Sequence, residues 1–199
     1  MPILMKNSLM ENMSADYVRT ALAKGLEEAG IVARVAARDE PGVLEYHLTR
    51  AGHDLKAVVW AVGNWGQRWV EASLSLKNLD PSLLMWDMHR NIDPTPIPKR
   101  RCVIQFLYPE LPGARRDWWL VVDPNKEVDL CSIDPGFEVD LYVSTDLRTM
   151  TAIWMGVLPV QEAVSSGKVI LTGNRQLGED MQIWLKLSPF AAEKKLVAA

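Results

Sequence analysis

Four carboxylates lie close together in the chain, at Asp129, Asp134, Glu138 and Asp140, and paired carboxylates are a common means of general acid and base work. Their local settings argue against that use. Asp129 falls in an alternating, strand-like run, Asp134 in a Pro-Gly turn, and Glu138 and Asp140 on the outward side of the next run, so a solvated sheet face accounts for all four. No GxSxG, CxxC, HExxH or phosphate-loop pattern accompanies them. An enzyme is therefore not expected, and neither is a cofactor or a metal. Cys102 and Cys131 each sit inside a strand-like run, which reads as two buried thiols rather than a disulfide framework or metal clip. His47, His53 and His89 are scattered and do not alter this.

Two other sets of side chains could serve recognition. Arg19, Thr20 and Lys24 lie on helix faces turned away from the apolar row Val18, Leu22, Leu26 and Ala29, where they would meet either solvent or DNA. Met150 with Trp154, and Met181 with Trp184, recur at helical spacing. Flexible thioethers and large rings can surround an apolar ligand, and they equally fill an ordinary core.

The elements that must position these residues follow from local patterning. Ser14 as N-cap, Asp16 in the first turn and Gly30 as a left-handed stop delimit a first helix. Ile31 to Ala37 and Val43 to Leu48, joined by Arg-Asp-Glu-Pro-Gly, predict a hairpin with Arg38 at its tip. Thr49 can cap a second helix, in which Leu55, Val58, Val59, Val62, Trp65 and Trp69 form an apolar stripe. Such a stripe is either core or, because a small ribbon-and-helix unit offers little to cover it, a dimer contact.

After Trp69 a junction is expected, with Asp80 and Pro81 opening a short helix through about His89. The Pro-rich DPTPIPKRR connector that follows favours extended chain. Its Lys99, Arg100 and Arg101 form a charge patch or merely flank the next strand. Four strand-like runs come next, Cys102 to Tyr108, Asp117 to Val122, Val128 to Ile133 and Glu138 to Ser144, and they predict an antiparallel meander. In the last run, alternation places Val139, Leu141 and Val143 on one face, with Asp140 and Tyr142 on the other. Asp146 then caps a helix, Gln161 to Ser165 forms a short one, Lys168 to Thr172 a final strand, and Asn174 opens a final helix. The fold class is α+β, an antiparallel sheet covered by helices on one face, in two units near 1–72 and 80–199.

Whole-chain properties set bounds on partners. In 199 residues, 48% are hydrophobic and 24% charged, ordinary globular values that exclude disordered and disulfide-scaffold classes. Net charge is −3, and the first 69 residues balance eight basic against eight acidic side chains. Bulk electrostatics therefore does not force nucleic-acid binding, and any DNA contact must rest on local placement of Arg and Lys. No secretory signal or membrane-length apolar run is evident, so a cytoplasmic, non-membrane protein is expected.

At GLEEAGIVAR, LEYHLTRAGHDL and WGQRW the chain closely resembles the HxlR family of winged helix-turn-helix regulators, in which LxxLEEAGIV closes the recognition helix and EYxLTxxG joins wing to dimerisation helix. The second half, with LLMWDMHRNID, WWLVVD, SGKVILTG and LSPFA, resembles the sterol carrier protein type 2-like domain that some members carry. The resemblance implies a DNA-binding transcriptional regulator with a C-terminal domain that senses an apolar ligand. Ser14, Asp16, Arg19, Thr20 and Lys24 would approach the major groove, and Arg34 and Arg38 would touch DNA from the wing. Trp118, Met150, Trp154, Met181 and Trp184 would line the ligand pocket, and the stripe from Leu55 to Trp69 would join two copies in a homodimer. Family members carry further helices before the recognition helix, whereas Met1 to Met13 precede Ser14 here. An N-terminally shortened, partial winged module is thus implied, with a lipid or small-molecule binding protein that has lost DNA binding as the alternative.

Overall fold

The computed structural model describes residues 25–36, 42, 44–70, 79–124, 128–194 and 196. They divide into two compact units, the first ending at Gly66 and the second beginning at Gln67. The division falls within one continuous helix.

In the first unit, residues 25–28 are helical, and Gly30 adopts φ 68, the left-handed stop that a side chain would resist. Strands β1 (Val32–Ala36) and β2 (Leu44–Leu48) pair antiparallel with Val32 opposite Leu48 and Ala36 opposite Leu44. Helix α1 (Arg50–Trp69) follows directly. Its start is held by Thr49, whose hydroxyl accepts from the Gly52 amide at 3.2 Å and donates to the Gly30 carbonyl at 2.6 Å. One threonine thus caps the helix and ties it to the turn that leads into β1. Gly52 permits the approach, because a Cβ there would collide with the Ile31 carbonyl oxygen.

The second unit opens with α2 (Pro81–His89), started as expected by Asp80, whose carboxylate accepts from the Ser82 and Leu83 amides at 2.8 and 3.2 Å. The connector forms turns without a regular element. Beyond it run β3 (Cys102–Leu107), α3 (Gly113–Arg116), β4 (Asp117–Val122), β5 (Asp129–Cys131) and β6 (Leu141–Thr145). Then come α4 (Leu147–Trp154), α5 (Val160–Ser165), β7 (Val169–Gly173), α6 (Arg175–Glu179) and α7 (Met181–Leu185). The strands form one five-stranded sheet in the order β5-β4-β3-β6-β7.

That order overturns the antiparallel meander. β3 pairs with β6 in parallel, Ile104 opposite Leu141 and Phe106 opposite Val143, while the other ladders are antiparallel. Alternation identifies strands and their faces but carries no information about which neighbour each will find. Having reached the edge at β5, the chain recrosses the sheet through residues 132–140 and enters on the far side of β3, which a parallel pairing requires.

The crossing also corrects two side-chain assignments. Val139 does not share a face with Leu141 and Val143. It packs with Val103, Trp119 and Val121 on the opposite face, whereas Leu141 and Val143 belong to the main core. Asp140 is not outward beside Tyr142, because it precedes the strand and is bound by β3. The sheet's central pair is therefore covered on both sides, and β4 is buried at five consecutive positions.

The main core lies between the other face of the sheet and the helices. Ile104, Phe106, Leu120, Leu141 and Val143 meet Met85 and Met88 of α2, Met150 and Ile153 of α4, and Leu177, Met181 and Trp184 from the last helices. The expected final helix is broken in two at Asp180, whose backbone leaves the α-helical region. The bend lets Leu177 and Trp184 both point inward, and the Trp184 indole N–H donates to the Leu177 carbonyl at 2.7 Å.

Candidate functional site

Of the residues proposed to meet DNA, Ser14, Asp16, Arg19, Thr20, Lys24 and Arg38 lie outside the described residues. Arg34 lies within β1, opposite Tyr46, with its guanidinium exposed and only loosely engaged by Glu27 at 3.7 Å. An exposed pair of that length is worth little, so the arginine retains its charge for a partner. On α1, the side chains of Leu55, Val58, Val59, Val62, Trp65 and Trp69 are all exposed, Val62 at 62% and Trp65 at 60%. Of the two alternatives for this stripe, core and contact surface, the described residues bury none of it within the monomer.

Trp118, Met150, Trp154, Met181 and Trp184 all belong to the main core, as close-packed interior. The indole N–H groups of Trp118 and Trp184 are already spent on the carbonyls of Arg115 and Leu177. A cleft of about 780 Å³ opens nearby, between α5, β7 and α6, and its lining includes none of those five residues. Its apolar surface comes from Leu141, Pro159, Val160, Val164 and Leu171. Leu141 and Val160 belong to the same core as the five, whose aromatic and thioether side chains are packed interior rather than cleft surface. Sequence reading missed these residues because aliphatic side chains on a sheet edge and a short helix carry no distinctive signal.

The polar rim comprises Gln161, Asn174, Arg175, Glu179 and Gln182. Gln182 of α7 accepts from the Val160 amide at 3.0 Å, supplying the start of α5 with the acceptor that Pro159 cannot offer. Asn174 caps α6 by accepting from the Leu177 amide at 3.0 Å. At the mouth, Arg175 pairs with Glu179 at 2.8 Å.

The carboxylates do not form a site. Asp134 accepts from the Gly136 amide and thereby fixes its own turn. Asp140 takes the Arg100 guanidinium at 2.6 Å and the Val103 amide at 2.9 Å, and its carbonyl accepts from the Asn174 amide. One residue thus pins the connector, the central strand and the end of β7. Arg101 likewise pairs with Asp123 at 3.4 Å and lies 4.4 Å over the Phe137 ring. Arg100 and Arg101 are accordingly committed to strand ends rather than presented as a free cationic patch.

Burial pushes the Cys102 thiol up to about 12, with the Asp140 charge adding to the effect. Burial likewise raises Cys131, helped by Asp129. Both remain thiols at neutral pH, unsuited to nucleophilic attack. Among the described residues no three His, Cys, Asp or Glu side chains gather to hold a metal, and no helix is long and apolar enough to cross a membrane.

Asp140 gives the unit an acid sensitivity. Burial alone would raise its carboxyl, but hydrogen bonds from Arg100, the Val103 amide and Cys102 outweigh burial and hold it below the usual range. A depressed carboxylate contributes stability that is present above its unfolded pKa of about 4 and is lost as pH falls through the lower folded value. Urea midpoints should therefore drop on acidification below about pH 4. In the Asp140→Asn variant that acid limb should be shallower, and an unchanged slope would mean that the carboxylate is not held in this way.

Residues 7–74 match the HxlR-like helix-turn-helix family. None of the curated proteins matches the chain. Among solved structures, the sterol carrier protein 2-like 2 of Aedes aegypti is 23% identical, with 50% of this chain and 91% of that one covered at a TM-score of 0.37. The sterol carrier protein domain 2 of Helicoverpa armigera is 18% identical, with 59% and 89% covered at a TM-score of 0.40. The stereoselective inverting sec-alkylsulfatase of Pseudomonas sp. is 18% identical with a TM-score of 0.41, the match taking in 60% of this chain and only 17% of the sulfatase. The HxlR-like helix-turn-helix match thus lies over residues 7–74, ahead of the α+β unit.

Proposed function

We propose that the protein is a DNA-binding transcriptional regulator whose second unit takes up an apolar small molecule. The observation that carries the first part is the HxlR-like helix-turn-helix match at residues 7–74, accompanied by a hairpin that presents Arg34 and runs straight into a long helix. Ser14, Asp16, Arg19, Thr20 and Lys24 would read the major groove, and Arg34 and Arg38 the flanking backbone. The exposed row from Leu55 to Trp69 would join two copies, burying an apolar surface too extensive to leave in water. The ligand part rests on the cleft at α5, β7 and α6, whose lining residues Leu141 and Val160 share a core with Trp118, Met150, Trp154, Met181 and Trp184. Apolar walls with a few polar groups are the usual form of a small-ligand site.

Selection from a random duplex DNA pool tests the regulator reading. The intact chain should enrich inverted repeats, because a two-fold dimer places its reading helices one helical turn apart. The Arg34→Ala variant should bind several-fold more weakly, with the slope of log affinity against log salt reduced by about one. Absence of enrichment even at low salt would overturn it. In that event the cleft would favour the second reading, a small-molecule binding protein without DNA affinity.

A further inference from the structure

We infer that the cleft of the second unit selects an apolar ligand bearing a hydrogen-bond acceptor, and that Gln182 and Asn174 make this choice. The inference rests on the cleft being the ligand site. Its physical basis is the way these two amides are held.

A backbone N–H can only donate, so whatever it meets must be an oxygen. The Val160 amide takes the side-chain oxygen of Gln182, and the Leu177 amide takes that of Asn174. Neither carboxamide can turn over without leaving a helix-starting N–H unpaired. The orientation of both is therefore set by the protein. That leaves the NH2 end of each, a donor with no acceptor character, as the group free to meet a ligand. Both residues line the cleft, from α7 and from the β7–α6 junction.

Of the remaining polar rim, Gln161 is an amide that can offer either its oxygen or its NH2 and so adds no preference. Arg175, the cationic side chain of the lining, and Glu179, its carboxylate, are paired with each other in solvent at 2.8 Å. A ketone, ester or carboxylate oxygen on an apolar body would satisfy the two donors. An ammonium head would face NH2 groups with which it can make no hydrogen bond.

Three ligands with the same twelve-carbon chain separate these cases: methyl dodecanoate, dodecanoate and dodecylamine. Each is titrated below its micelle threshold against the full chain loaded with the fluorescent apolar probe N-phenyl-1-naphthylamine. The ester and the carboxylate should displace the probe, and the amine should be weaker by roughly tenfold, the scale of one or two hydrogen bonds. The isosteric variants Gln182→Glu and Asn174→Asp keep an oxygen for the Val160 and Leu177 amides but turn an oxygen toward the cleft. They should weaken the ester and carboxylate by about tenfold and strengthen the amine. Equal displacement by all three ligands, or a uniform loss in both variants, would overturn the inference while leaving a generic apolar site. Failure of the probe to bind at all would instead remove the cleft as a ligand site, and the inference with it.

Discussion

Replacing Trp184 with alanine is expected to destabilise the second unit by about 3–5 kcal/mol, the usual cost of truncating a large buried aromatic residue. Trp184 is fully buried and sits where α7, α6 and the sheet converge. Its indole also donates to the Leu177 carbonyl at 2.7 Å, which would be left buried and unpaired. Urea denaturation followed by circular dichroism reads the change. A Trp184→Phe variant keeps most of the volume but loses the N–H, and should cost about 1–3 kcal/mol. Alanine and wild type within 1 kcal/mol of each other would contradict the packing described here.

The second large effect is expected at Gly173, the last residue of β7. Its φ of 120 lies in the region that favours glycine, and a Cβ there would run into the Asp140 carbonyl oxygen. Relief by rotation is blocked, because that same oxygen accepts from the Asn174 amide at 2.7 Å. Backbone strain and overpacking act together, so Gly173→Ala should cost roughly 3 kcal/mol or more. Gly136 supplies the control. It also has positive φ, at 73, but a Cβ there would meet nothing within 4 Å. Gly136→Ala should cost only about 1–2 kcal/mol, the conformational part alone. Comparable losses in the two variants would mean that Asp140 does not confine Gly173.

Much of this architecture was legible in local sequence signals. Asp80-Pro81, Asp146 and Asn174 each announced a helix start, and each side chain caps the helix that follows it. Thr49 holds the start of α1 in the same way. Caps are readable because donor and acceptor lie within three residues. The failures had the opposite character. The parallel β3–β6 ladder, the packing of Val139 against Val103, Trp119 and Val121, and the engagement of Asp140 by Arg100 all join residues far apart in the chain. The cleft was invisible for a related reason. Asn174 is legible as a cap but not as a cleft donor, and Gln182 is oriented by the Val160 amide 22 residues away, whereas the Met and Trp residues at helical spacing are consumed by packing.

The central position of β3 also bears on how the chain emerges from synthesis. β3 and β4 are complete as a hairpin long before Leu141 arrives to occupy the other side of β3. Until then a nearly continuous apolar strand presents an unpaired edge, the kind of surface on which unfinished chains associate. Sealing that edge must wait for residues 132–140 to recross the sheet, a non-local step of the kind that slows folding. The second unit is thus most exposed to aggregation during the interval between making its central strand and delivering that strand's partner.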